Sequence, residues 1–251
     1  MIDAGSPPDA SPCGGLFGRP NSNTGLTEAQ CRPACGCGSE AWVAPEFDSF
    51  RLALLRRYTL DAPYEDITLD PYVATAPTVP EGAVCAVQVS GTERYHYTLI
   101  DYPSAAAAQS DGAYVTHHGI CGVCSTLDDF AAYAEQPDLT APVRDCGIRS
   151  RDHAALITCL EALGFTTPCA QIWAFNTEHT RSACGATCIR LVRAPYHNAD
   201  GTLNACLQCD EDESGAVFKA IAGRTRRNSG VASAICRPCS ETLPLVHDYP
   251  E

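Results

Sequence analysis

Along residues 84–89 Cys85, Val87 and Val89 share one face, and along 95–100 Tyr95, Tyr97 and Leu99 share a face in the same way. A period of two predicts two strands. The run Ser90-Gly91-Thr92-Glu93 between them supplies turn residues for an antiparallel hairpin. Elsewhere the period lengthens. Phe47, Phe50, Leu54 and Leu55 recur at helical spacing and predict a helix over 45–58. A short helix is expected to start over 105–109, ahead of a strand at 114–116. Leu127, Phe130, Ala131 and Ala134 form a stripe behind Ser125, which reads as an N-cap with Asp128 three residues on. Further helices are predicted over 152–163, stopped by Gly164, over 169–175, and over 215–222 with Val217, Phe218 and Ile221 inward. The pattern predicts an α+β fold in which helix predominates, with at least one antiparallel β-hairpin.

Cysteine changes this picture most. The chain has 251 residues and 16 cysteines, running from Cys13 to Cys239. Its hydrophobic content of 45% supports a real core, so staples are not needed for want of one. An even number of cysteines at irregular spacing favours disulfides over zinc or iron–sulfur ligation, and hence an oxidising, extracytoplasmic compartment. Cys206-Leu207-Gln208-Cys209 and Cys236-Arg237-Pro238-Cys239 resemble halves of a zinc ribbon, but among so many thiols cross-bridging is expected. Cys184 and Cys188 lie one helical turn apart, which favours separate partners. The expected organisation is a flexible tether over 1–12 and one disulfide-rich globular body over 13–251, made of a loop-rich lobe (13–44), a mixed α/β part (45–120) and a helical, cysteine-rich part (121–251). Pro, Ser, Asp and Ala crowd the tether, which reads as a linker whose leader has been cut away and which follows a lipid anchor. The protein is expected to be secreted, periplasmic or held at the outer surface.

Charge excludes some partners. The net charge is −13, from 17 basic and 30 acidic residues, so nucleic acid and anionic lipid repel the chain. No run of 18 apolar residues is present, and no transmembrane helix is expected.

The densest chemistry is the run from Thr116 to Ser125, in which His117, His118, Cys121 and Cys124 fall within eight residues just ahead of a predicted helix. Amide groups at a helix N-terminus favour a thiolate there. The segment Gly119-Ile120-Cys121-Gly122-Val123-Cys124 resembles the nucleophile segment of the papain-like cysteine peptidases, Gln-Gly-x-Cys-Gly-Ser-Cys-Trp. His118 stands where that pattern has Gln, and Ser125 where it has Trp. The resemblance implies Cys124 as nucleophile and Cys121 as a disulfide partner; His118 or His247 is then the candidate base.

Three functions follow as expectations. The first is a cysteine-dependent, hydrolase-like enzyme, with Arg224, Arg226 and Arg227 gathered on a small anionic or peptide substrate because the guanidinium fork suits carboxylate and phosphate. The plainer expectation for those arginines is that they pair with the acidic run Asp210-Glu211-Asp212-Glu213 across the intervening helix or face solvent. The second is a copper or zinc site built from His117, Cys121 and Cys124. The third is a non-catalytic interaction module at the cell surface, with these cysteines in bridges.

Overall fold

The structure, a computed structural model, describes residues 15–36, 41–75 and 77–250. The predicted tether, Cys13 and Cys37 lie outside the described residues.

The predicted hairpin is the centre of a four-stranded sheet. Strand β6 (Val84–Val89) pairs antiparallel with β7 (His96–Tyr102) and, on its other edge, with β8 (Tyr114–His118); β5 (Thr59–Leu60) joins β7 in parallel. Both faces of β6 are covered, as expected of a central strand. On one face Val87 and Tyr97 pack with Leu127 and Phe130. On the other, Val84, Ala86 and Tyr102 pack on Ala108 of α2 (Ala105–Ser110). The period of two read from the sequence is therefore real, with each face finding its own helix.

The N-terminal lobe is short strands held in register by bridges. Strand β1 (Leu16–Phe17) lies between β2 (Cys31–Arg32) and β9 (Arg237–Pro238), so the two ends of the chain share one small sheet. Strands β3 (Ala34–Cys35) and β4 (Trp42–Val43) form a second pair. Helix α1 (Ser49–Leu55) is capped by Asp48 and is shorter than its hydrophobic pattern predicts; Leu52 and Leu55 face inward, whereas Phe50 is exposed.

Helices make up the rest: α3 (Leu127–Glu135), α4 (Thr140–Arg149), α5 (His153–Glu161), α6 (Thr167–Leu191), α7 (Ala205–Glu213) and α8 (Gly215–Ala222). The predicted stop at Gly164 holds, with φ +97, a conformation favoured by glycine. The α3 cap falls one residue later than expected. Thr126 accepts from the Asp129 amide and donates to its carboxylate at 2.6 Å, because the Ser125 hydroxyl is engaged elsewhere. Helix α6 runs 25 residues, about 37 Å, far beyond the predicted 169–175. Its first half is buried through Cys169, Ala170, Ile172 and Ala174, and this half forms the main core with α3, α4 and α5.

All fourteen described cysteines are paired. The bridges are Cys31–Cys236, Cys35–Cys239, Cys85–Cys121, Cys124–Cys169, Cys146–Cys159, Cys184–Cys209 and Cys188–Cys206. Cys184 and Cys188 take separate partners, and both C-x-x-C pairs bridge outward rather than forming a ribbon. Seven disulfides mark an oxidising, extracytoplasmic protein. Among the described residues no helix is long and apolar enough to cross a membrane.

Candidate functional site

The segment that carries the sequence-predicted chemistry is built into the core. After β8 the chain turns at Gly119 (φ +91) and runs along the end of α8, where the Val123 and Cys124 amides donate to the carbonyls of Ile221 and Ala222. This path brings Cys124, fully buried, onto α6, where it is bonded to Cys169. Cys121 is bonded to Cys85 on β6, and its amide donates to Asp101 at 2.6 Å. The expectation of a thiolate at Cys124 is thus overturned: the helix N-terminus faces a cystine, and a cystine sulfur has no proton to lose and is no nucleophile. The copper or zinc reading falls for the same reason, since the sulfurs of Cys121 and Cys124 are already bonded. The cluster of Cys85, Asp101 and Cys121 has the metal-site spacing only because two of its members are one disulfide.

The histidines are held in neutral, structural roles. His117 is fully buried. Its Nδ1–H donates to the His118 carbonyl at 3.0 Å, which leaves Nε2 to accept from the Ser125 hydroxyl at 2.6 Å; that hydroxyl in turn accepts from the Gly122 amide. Burial, then the nearby Arg224 charge, keeps this imidazole well below its usual range. The His117–Ser125 pair has the contacts of a nucleophile and its base, yet both residues are sealed from solvent, so it braces the loop. His118 is half-buried and burial lowers its pKa. His247 is buried against Phe130, ring centroids 4.2 Å apart, and donates through Nε2 to the Ser229 carbonyl. With Cys124 oxidised, neither His118 nor His247 has a thiol to deprotonate.

The three predicted anion-binding arginines do not converge. Arg224 has no exposed surface. Its guanidinium lies 4.5 Å over the Phe130 ring and donates to the carbonyls of Thr116, Cys124 and Ser125 and to the hydroxyls of Thr116 and Ser229. It ties β8, the Cys124 loop and the 229 turn together, because a buried fork needs five acceptors and these segments present free oxygens. Arg226 donates to the carbonyls of Gln136 and Ala232. Arg227 pairs with Glu211 and Glu241, as the plainer sequence expectation for opposite charge blocks requires.

What the fold does assemble is a cavity of about 260 Å³ bounded by α4, α6, α7, α8, Tyr133 of α3, Phe17 of the N-terminal lobe and the chain from Thr225 to Arg237. One wall is aromatic. Trp173 packs edge-on to Phe218, centroids 4.7 Å apart, and its indole N–H donates to the Tyr133 hydroxyl at 3.1 Å. Leu139, Val143 and Ile235 add apolar lining. Other lining residues are charged. The Glu211 carboxylate is shared by Lys219, Arg227 and Arg237, the last at 2.8 Å. Burial disfavours the ionised form of Glu211, but these three cations outweigh it and hold the carboxyl at about 2. Asp210 is pushed upward by burial, against hydrogen bonds from Thr180 and Asn176. Arg226 also lines the cavity; burial brings its guanidinium down to about 10, so it stays charged at neutral pH.

Sequence reasoning found part of this site. Arg226 and Arg227 belong to the lining. Tyr133, Trp173, Phe218, Lys219 and Arg237 come from three helices and strand β9, and no local pattern links them. A family model described as "Family of unknown function (DUF8771)" matches residues 153–245. The matched stretch contains α6, α7, α8 and the 225–237 segment, which form most of the cavity wall. No curated protein and no solved structure matches the chain.

Proposed function

We propose that the protein is a non-catalytic binding module of the periplasm or outer cell surface, which takes a small, flat, largely apolar molecule into the cavity beside Trp173. The observation that carries this reading is the cavity itself: a concave, mostly apolar space with a few convergent polar groups, walled by an aromatic cluster, is the usual form of a small-molecule site. The seven bridges support it by fixing the walls. Cys184–Cys209 and Cys188–Cys206 clamp α6 to α7, and Cys31–Cys236 and Cys35–Cys239 clamp the N-terminal lobe to the 225–239 segment. A wall that does not move on binding loses little entropy there.

The two tryptophans make the test direct. Trp173 lines the cavity, and Trp42 sits in the N-terminal lobe stacked on Phe17. Titration with bicyclic aromatic probes is expected to shift the Trp173 indole N–H resonance saturably, the peak being assigned by its loss in Trp173→Phe. A set of such probes that leaves the Trp173 resonance in place up to about 1 mM overturns the proposal.

A further inference from the structure

The charge distribution around this cavity is unlike that of the rest of the chain. Five of the 17 basic residues line it (Arg144, Lys219, Arg226, Arg227 and Arg237), but only two of the 30 acidic ones, Asp210 and Glu211. A protein of net charge −13 therefore surrounds one positive concavity, and a low-dielectric wall focuses such a field. Glu211 sits among three cations, and Glu241 meets one of them, Arg227, so two paired carboxylates face three positive charges. Among the described residues, Arg237 commits only its Nη2 to a hydrogen bond, and Lys219 one contact from a group with three donors. These two side chains retain donors, and Arg237 keeps part of a fork suited to an oxyanion.

From this juxtaposition of an aromatic wall and an under-neutralised cation cluster we infer that the ligand is a small aromatic oxyanion, its ring against Trp173 and Phe218 and its acid group on Arg237 and Lys219, where it competes with the Glu211 carboxylate for the same cations. The inference rests on the proposed binding function and specifies the ligand class. Glu211 acts as the internal occupant of the cation cluster. It keeps the cluster from being an uncompensated buried charge when the cavity is empty, and it sets the affinity an external acid must exceed.

A matched pair of probes separates this inference from the reading beneath it. We take 2-naphthoate and 2-naphthamide, equal in shape and different in charge, and follow the Trp173 indole resonance of the full chain, with the Trp42 resonance reporting that each variant is folded. The expected result is that the acid binds at least about tenfold more tightly than the amide. Arg237→Gln is expected to bring the acid-to-amide affinity ratio down toward one, and Glu211→Gln to strengthen the acid and raise that ratio at least about threefold. If neither probe moves the resonance, the cavity is not a binding site and the proposed function fails. If acid and amide bind alike, the binding function stands and the oxyanion inference is overturned. If the acid is preferred but Glu211→Gln does not strengthen it, the acid group sits elsewhere and the competition with Glu211 is overturned.

Discussion

Single side chains in this protein are decided by where burial places their polar atoms. Arg224 is the clearest case: a fully buried guanidinium with its hydrogen bonds directed to carbonyls and hydroxyls. Arg224→Met leaves the carbonyls of Thr116, Cys124 and Ser125 without donors, and the fold is expected to lose about 3 kcal/mol or more. Arg224→Lys also destabilises, because an ammonium has three donors for five bonds; urea denaturation of both variants checks this. Buried histidine sets the response to acid. His247 is pushed by burial to about 3 and His117 well below its usual range, whereas in the unfolded chain both take a proton near 6.5. Stability from these groups is present above about pH 6.5 and is lost as pH falls toward their folded values. Asp129 opposes them: burial raises it to about 6, so the fold takes up a proton there before the unfolded chain does. Asp128 and Asp210 are raised by burial as well, and His118 and His197 are lowered by it; four histidines against three carboxyls leave a net loss, and the unfolding free energy is expected to fall from pH 7 to pH 4.5. His247→Gln, which keeps a donor for the Ser229 carbonyl, is expected to flatten that slope.

Elements meet here at points where a side chain has no room. The Cys124 loop crosses the end of α8 at Gly122, and a Cβ there falls 2.3 Å from the Ile221 carbonyl oxygen and 2.6 Å from the Gly223 amide. All the obstructing atoms are backbone, so nothing can rotate away. Gly122→Ala is expected to pull the loop off α8, breaking the Val123 and Cys124 amide bonds, at a cost of about 2–3 kcal/mol measurable by thermal unfolding. Helices α4 and α7 show a different principle. Pro142 and Gly147 in α4 and the acidic run in α7 weaken any helical signal. Yet α7 forms because Cys206 and Cys209, three apart on one face, bond to Cys188 and Cys184, four apart on α6.

Across the whole molecule two of the disulfides act as a pair. Cys31–Cys236 and Cys35–Cys239 each close more than 200 residues of chain, but while either is present the other closes only a short ring. In the chain-entropy account, removing one is expected to cost about 2–3 kcal/mol, and removing both to exceed the sum of the single losses by about 3 kcal/mol. Denaturant titrations of Cys31→Ser/Cys236→Ser, Cys35→Ser/Cys239→Ser and the combined variant measure the coupling. Thiol titration of the denatured, unreduced protein is expected to find no free thiol at the fourteen described cysteines. A thiol mapped to Cys124 or Cys169 reopens the catalytic reading.

Much of the architecture is written locally. Period-two facing at Val84–Val89, the stripe behind Ser125 and the glycine stop after α5 depend on residues a few positions apart, and each appears in the structure, the α3 cap one residue later at Thr126. The cysteine content and its irregular spacing by themselves determined an oxidising compartment and a stapled body. The choice of partners was not legible, because pairing depends on which thiols come within about 6 Å after chains 13 to 205 residues apart have packed. That choice reversed the meaning of the Cys121–Cys124 segment, where the local pattern is that of a reactive thiol. It also dispersed the arginines. Arg224 and Arg227 differ by three residues, yet one fills a polar gap in the core and the other pairs with acids at a cavity, because burial, unlike charge or spacing, is a property of the packed whole.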